Sequence, residues 1–154
     1  MITLYAVLKF VHVILAIIAV GTNATYGIWL ARVASAPPET HGYVLRGIKR
    51  LDDWFANPAY VLLAVTGLLT ALVGGLPLAT YWIAGGIVLW ALAIVLGFFV
   101  YTPLLRTQIR ALETRGADST EYREAASSAR LMGILIGIIV VVIVFLMVTK
   151  PTIG

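Results

Sequence analysis

The chain contains no cysteine, which excludes a disulfide framework, a thiolate metal site and a covalently attached c-type haem. Charge is also scarce. Lys, Arg, Asp and Glu make up 12% of the residues, where a soluble domain carries about a quarter. An ordinary water-soluble globule is excluded with it. Histidine occurs only as His12 and His41. Asp and Glu are missing from the long apolar runs, so the carboxylate relay typical of proton-driven pumps and transporters is not visible in them.

What is present is apolar. Hydrophobic residues make up 61% of the 154 positions, and the mean hydropathy is +1.00. Four runs are long enough to cross a hydrocarbon core of about 30 Å, which takes roughly 20 helical residues. They extend over 3–31, 57–75, 79–102 and 131–148. The "GGLP" after the second marks a tight turn. Lys150-Pro151 closes the fourth with a basic stop and a helix breaker. The first run lacks a basic leading region and is too long for a signal sequence, so it is expected to be a retained helix. These features predict an all-α four-helix transmembrane bundle that forms a single integral membrane domain over 1–154.

A net charge of +4 does not point to nucleic acid, because its placement is that of membrane topology. Arg32, Arg46, Lys49 and Arg50 lie between the first two runs, and Arg106, Arg110, Arg115, Arg123 and Arg130 between the last two. "GGLPLAT", between the second and third, is uncharged. The positive-inside rule puts both charged linkers in the cytoplasm and both termini outside. "GYVLRGIKRLDDWFANPAY" is expected to lie on the membrane surface or to extend the second helix. In "ADSTEYREAASSARL", Asp118 and Glu121 have the spacing of a capping box, so the fourth helix should begin near Ser119.

The first run, "LYAVLKFVHVILAIIAVG", carries ionisable groups at membrane depth. With His12 at zero and about 100° per residue, Tyr5, Lys9, Asn23 and Tyr26 all fall within about 60° of it. That stripe is expected to face the bundle interior. Its bland reading is hydrogen bonding between helices. Its functional reading makes His12 a metal ligand, an imidazole serving haem iron axially, with Lys9, Asn23 and Tyr26 beside the cofactor. Lys9 has two readings of its own: a cation beside an anionic group, or a side chain that snorkels to the headgroups. His41 follows Ala36-Pro37-Pro38, a whole span from His12, so a bis-histidine site within one chain is not expected. Asn57, Tyr60, Thr66 and Thr70 read as packing and hydrogen-bonding residues, and Trp90 and Met132 as packing. Ala125, Ala129, Gly133 and Gly137, and likewise Ala19, Asn23 and Gly27, recur every four residues, a pattern that lets helix backbones approach closely.

The segments "LKFVHVILAIIAVG" and "NPAYVLLAVTGLLTAL", with the order of spans and length of linkers, resemble a family of bacterial integral membrane proteins of unknown function. A more distant likeness is to the four-helix membrane protoporphyrinogen oxidase and to copper-resistance-type membrane proteins, which also place a histidine in an apolar first helix. In the oxidase family that histidine is associated with haem, a role that only His12 can inherit. That family also uses a lysine in its third helix, and the third run here has no Lys, Arg or His. The resemblance therefore implies haem binding without implying oxidase activity, and it implies a bacterial cytoplasmic (inner) membrane.

Three functions follow as expectations. The leading one is a b-type haem or porphyrin protein using His12 in electron transfer or haem metabolism. The second is a non-catalytic accessory subunit of a homo-oligomer or larger membrane complex. The third, a small transporter, is disfavoured by the missing intramembrane acids.

Overall fold

The computed structural model describes residues 2–151. Among them there is no strand, and four helical rods are long and apolar enough to cross a membrane. Helix α1, Leu4–Val33, starts where the Thr3 hydroxyl accepts the Ala6 N–H at 3.2 Å, satisfying one of the free donors of the first turn. Arg32 stands in its last turn, where a cation complements the helix dipole. Helix α2, Pro38–Leu51, opens on a proline, whose missing N–H costs nothing at that position.

The second and third rods each run through a proline. Helix α2 continues through a π-turn, Asp52–Ala56, into α3, Asn57–Val73. Helix α4, Tyr81–Leu96, likewise continues through a π-turn, Gly97–Tyr101, into α5, Thr102–Arg115. Pro58 and Pro103 each stand two residues past the end of the wide turn. A proline inside an α-helix lacks the N–H of its rung and clashes with the carbonyl four residues back. Here the turn ahead of it widens. Asn57 N–H reaches back five residues to the Asp52 carbonyl, and Thr102 N–H to that of Gly97.

The two rods, of 36 and 35 residues, are thus about 54 and 52 Å long. That exceeds the hydrocarbon core by roughly 20 Å, so their charged halves project beyond it. Of the two arrangements expected for the first charged linker, the structure has the extension of the second helix.

Helix α6, Thr120–Thr149, begins at the expected place with a different cap. Ser119, not Asp118, accepts the Tyr122 N–H, at 3.3 Å. Glu121 turns instead to Arg115, at 2.8 Å. The turn between α3 and α4 is made by Gly75 at φ 64, a left-handed conformation that side chains resist. There Leu76 N–H bonds to Ala71 and Gly75 N–H to Leu72, the paired C-terminal bonds of a Schellman motif.

Helices α1 and α6 form the centre of the bundle, with α3 packed on α1, and α4 and α5 on α6. The second and third rods meet at the charged end, where α2 packs on α5. Leu45 and Leu105, both 0% exposed, lie in that core with Tyr26, Ile48, Tyr101, Tyr122 and Ala129. Along the apolar halves the picture inverts: Val61, Leu72, Val88, Phe99, Ile138 and Val141 are exposed. Such a surface would aggregate in water. In a bilayer it is solvated by acyl chains.

The small-residue stripes divide. Ala125 and Ala129 are buried, and Gly133 faces Tyr101. A Cβ at Gly27 or Gly137 would meet nothing within 4 Å. Close approach is made instead at glycines outside both stripes. Gly67 faces His12, Gly74 faces Tyr5 and Gly86 faces Met147.

Candidate functional site

The stripe on α1 resolves into two groups. His12 lies near the uncharged end, half-buried against α3. Its Nδ1 lies 3.0 Å from the Leu63 carbonyl oxygen and 3.3 Å from the Thr66 hydroxyl. A carbonyl only accepts, so Nδ1 carries the proton and donates. In the neutral ring Nε2 then bears the lone pair. Nε2 has no hydrogen-bond partner among the described residues. The Thr66 hydroxyl itself donates to the Leu62 carbonyl at 2.8 Å. Gly67 makes the fit feasible, since a Cβ there would stand 2.8 Å from His12 Cε1.

His41 is the contrast. It lies in the first turn of α2, and it is 8% exposed. Its Nε2 donates to the Ala36 carbonyl at 3.1 Å, which leaves Nδ1 to accept from the Tyr122 hydroxyl at 3.0 Å. Both nitrogens are committed. His41 ties α2 to α6 and has no lone pair to offer.

Lys9 does not join His12. It is exposed, and its Nζ sits 6.0 Å from the centre of the Tyr5 ring. At the same end of the bundle, Lys150 Nζ lies 5.4 Å over Trp82. Two cations resting on aromatic rings near the uncharged loop have the form of interfacial anchors.

Asn23 and Tyr26 belong to the second group, about 16 to 21 Å along α1 from His12 at 1.5 Å per residue. Asn23 donates its amide to the Tyr60 hydroxyl and, at 3.4 Å, to the Ala19 carbonyl. Trp90 Nε1 donates to the Tyr60 carbonyl at 3.2 Å, which joins the third rod to the second. The Tyr26 hydroxyl is buried with no hydrogen-bond partner among the described residues. Asn23 and Tyr60 line a cavity of about 30 Å³ together with Asp52, Asn57 and Tyr101. Met132 packs against the core nearby.

Residues 6–151 match the family described as predicted integral membrane protein, DUF2269. The chain belongs to that family. No curated protein and no solved structure matches it. A DUF2269 chain is thus integral to the membrane by family as well as by its four apolar rods, and lipid is its solvent.

A haem iron, were one bound, would be held by His12, whose Nε2 is left without a partner among the described residues. His12 supplies an imidazole whose far nitrogen is oriented by a carbonyl, the usual support for a metal-ligating histidine. Among the described residues no cluster of three His, Cys, Asp or Glu side chains forms around it or elsewhere. Two features of these sites escaped the sequence reading. One is the pairing of His12 with Leu63, Thr66 and Gly67, for which the adjacent "TG" was the available signal. The other is Asp52, which lies outside the apolar run and still turns inward.

Proposed function

We propose that this DUF2269 protein binds a b-type haem or porphyrin through His12 Nε2, and that it serves electron transfer or haem metabolism in a bacterial inner membrane. The observation that carries the reading is the contact of His12 Nδ1 with the Leu63 carbonyl oxygen. The Leu63 carbonyl oxygen accepts a hydrogen bond from the Nδ1–H at 3.0 Å, so the free lone pair lies on Nε2, the nitrogen that would hold the iron. His41, with both nitrogens engaged, provides the internal contrast. A bound haem would supply one-electron chemistry, and the chain would contribute the ligand and its orientation. By the positive-inside rule the charged end faces the cytoplasm, which puts His12 toward the outer leaflet.

The test is a reduced-minus-oxidised visible spectrum of protein purified in mild detergent after expression with ample haem. A Soret band in the wild type that is lost in His12→Ala and kept in His41→Phe is the expected result. A colourless wild type would overturn the reading.

The second reading, an accessory subunit of a homo-oligomer or larger complex, draws on an open groove of about 370 Å³. It is lined by Ile17, Ile18, Gly21, Thr22, Leu51 and Phe55. Thr22 and Thr25, which also lines it, already donate to the Ile18 and Thr22 carbonyls at 2.6 and 2.7 Å, so the groove offers shape without free hydroxyl donors. Under that reading the colourless protein elutes from a sizing column above its monomer mass in detergent.

A further inference from the structure

Both π-turns border one small cavity. Asp52 and Asn57 come from the first and its junction with α3, and Gly97, Phe98 and Tyr101 from the second. Wide turns of this kind are frequent at functional sites. The cavity, of about 30 Å³, has room for about two water molecules.

Asp52 is its only carboxylate, and it is 7% exposed. The nearby cation is already taken, since Lys49 pairs with the exposed Asp53. None of the ion pairs among the described residues includes Asp52. Its hydrogen bond is from the Asn57 amide, at 3.4 Å. The groups around it are neutral phenols and amides. Tyr60 of α3 and Tyr101 of the second π-turn line the same cavity. Ile136, which α6 contributes to the lining, is apolar. A buried carboxylate without a cation is expensive, and it relieves the cost by taking up a positive charge.

We infer that Asp52 is a proton-binding site, a buried carboxyl at the charged end of the bundle that takes up and releases one proton through the small cavity beside it. The set of one carboxylate, two amides and two phenols lacks the multiple charged ligands of a divalent metal site. It balances one unit charge. Burial, with Asp53 adding to it, pushes the Asp52 carboxyl up from its ordinary 3.8 to about 6, against the opposing pull of Lys49 and Asn57. Between those values the folded chain holds a proton that the unfolded chain has released. Asp52 therefore favours the folded state below its unfolded value, and that contribution is lost as pH rises through about 6.

The first experiment needs no variant at this site. The chain has three aspartates, Asp52, Asp53 and Asp118, so carboxyl-¹³C aspartate labelling in detergent micelles gives three resolvable titrations. Asp118→Asn, at an exposed position, identifies the resonance of Asp118, and a paramagnetic relaxation agent in the aqueous phase separates exposed Asp53 from buried Asp52. Asp52 is expected to titrate well above the other two, and three titrations within the ordinary carboxylate range would overturn the inference. The second experiment follows the melting midpoint against pH in sodium chloride and in choline chloride. The wild type is expected to lose stability as pH rises through about 6 in both salts, and Asp52→Asn to lose that slope. A wild-type midpoint that responds to sodium at fixed pH, with Asp52→Asn insensitive, would assign the site to an alkali ion and overturn the proton.

Discussion

At the charged end of the bundle, Leu45, Ile48, Leu105 and Tyr122 close a core of large side chains between α2, α5 and α6. Toward the other end α3 and α4 barely touch, and leucines, valines and isoleucines point outward. The difference follows from the solvent. Where water surrounds the rods, removing apolar area from it drives association. In lipid, acyl chains are as apolar as leucine, and that drive is absent. The membrane half is joined instead by fitted contacts and hydrogen bonds: Gly67 under His12, Gly74 under Tyr5, Gly86 under Met147, and Trp90 on the Tyr60 carbonyl.

The comparison can be broken most directly at the two kinds of apolar residue. Leu105→Ala is expected to cost about 2–5 kcal/mol, the range for emptying a packed core site. Val88→Ala, on an exposed face, should stay within about 0.5 kcal/mol. Unfolding in mild detergent measures both, and equal costs would abolish the distinction between the halves.

The membrane half is probed next at its fitted contacts. Gly67→Ala inserts a methyl 2.8 Å from His12 Cε1 and should cost about 1–3 kcal/mol by overpacking. Adding His12→Ala should recover most of that loss. Additive effects in the double variant would show that the ring and the glycine do not press on each other.

The smallest effect belongs to the water-facing surface. Arg46 and Glu113 join α2 to α5 at 3.1 Å, but their side chains are 59% and 53% exposed. Arg46→Ala should change stability by about 0.5 kcal/mol or less. A larger loss would give surface charge a share in holding the charged end, beside the leucine core.

Much of this was legible in the chain because composition acts locally. Runs of about 20 apolar residues leave a helix as their simplest form in lipid. The start of the fourth helix near Ser119 was legible from the capping-box spacing of Asp118 and Glu121, although the cap itself is the Ser119 hydroxyl. The inward stripe of Tyr5, His12, Asn23 and Tyr26 follows from helical periodicity. Lys9 belongs to that stripe by angle and leaves it in the fold because its long stem reaches the interface.

Other features were not legible. Pro58 and Pro103 resemble helix boundaries in a one-dimensional reading. In the structure a widened turn ahead of each lets the rod continue. His12 and His41 have the same chemistry in sequence, and only their neighbours give them opposite tautomers. Asp52 sits in "LDDWF" beside a second aspartate, with nothing local to say which of the two is buried. Lys49 takes the outer one because it lies four residues ahead on the same face.

The sequence by itself determined that this chain is helical, crosses a membrane and gathers most of its charge at one end, since each of these depends on side chains meeting lipid or water. The tertiary structure alone decided which ring nitrogen of His12 is free, which aspartate is enclosed and where the helices touch. Those outcomes depend on groups from different helices, such as His12 with Leu63 and Tyr60 with Trp90, brought together by packing that no local pattern encodes.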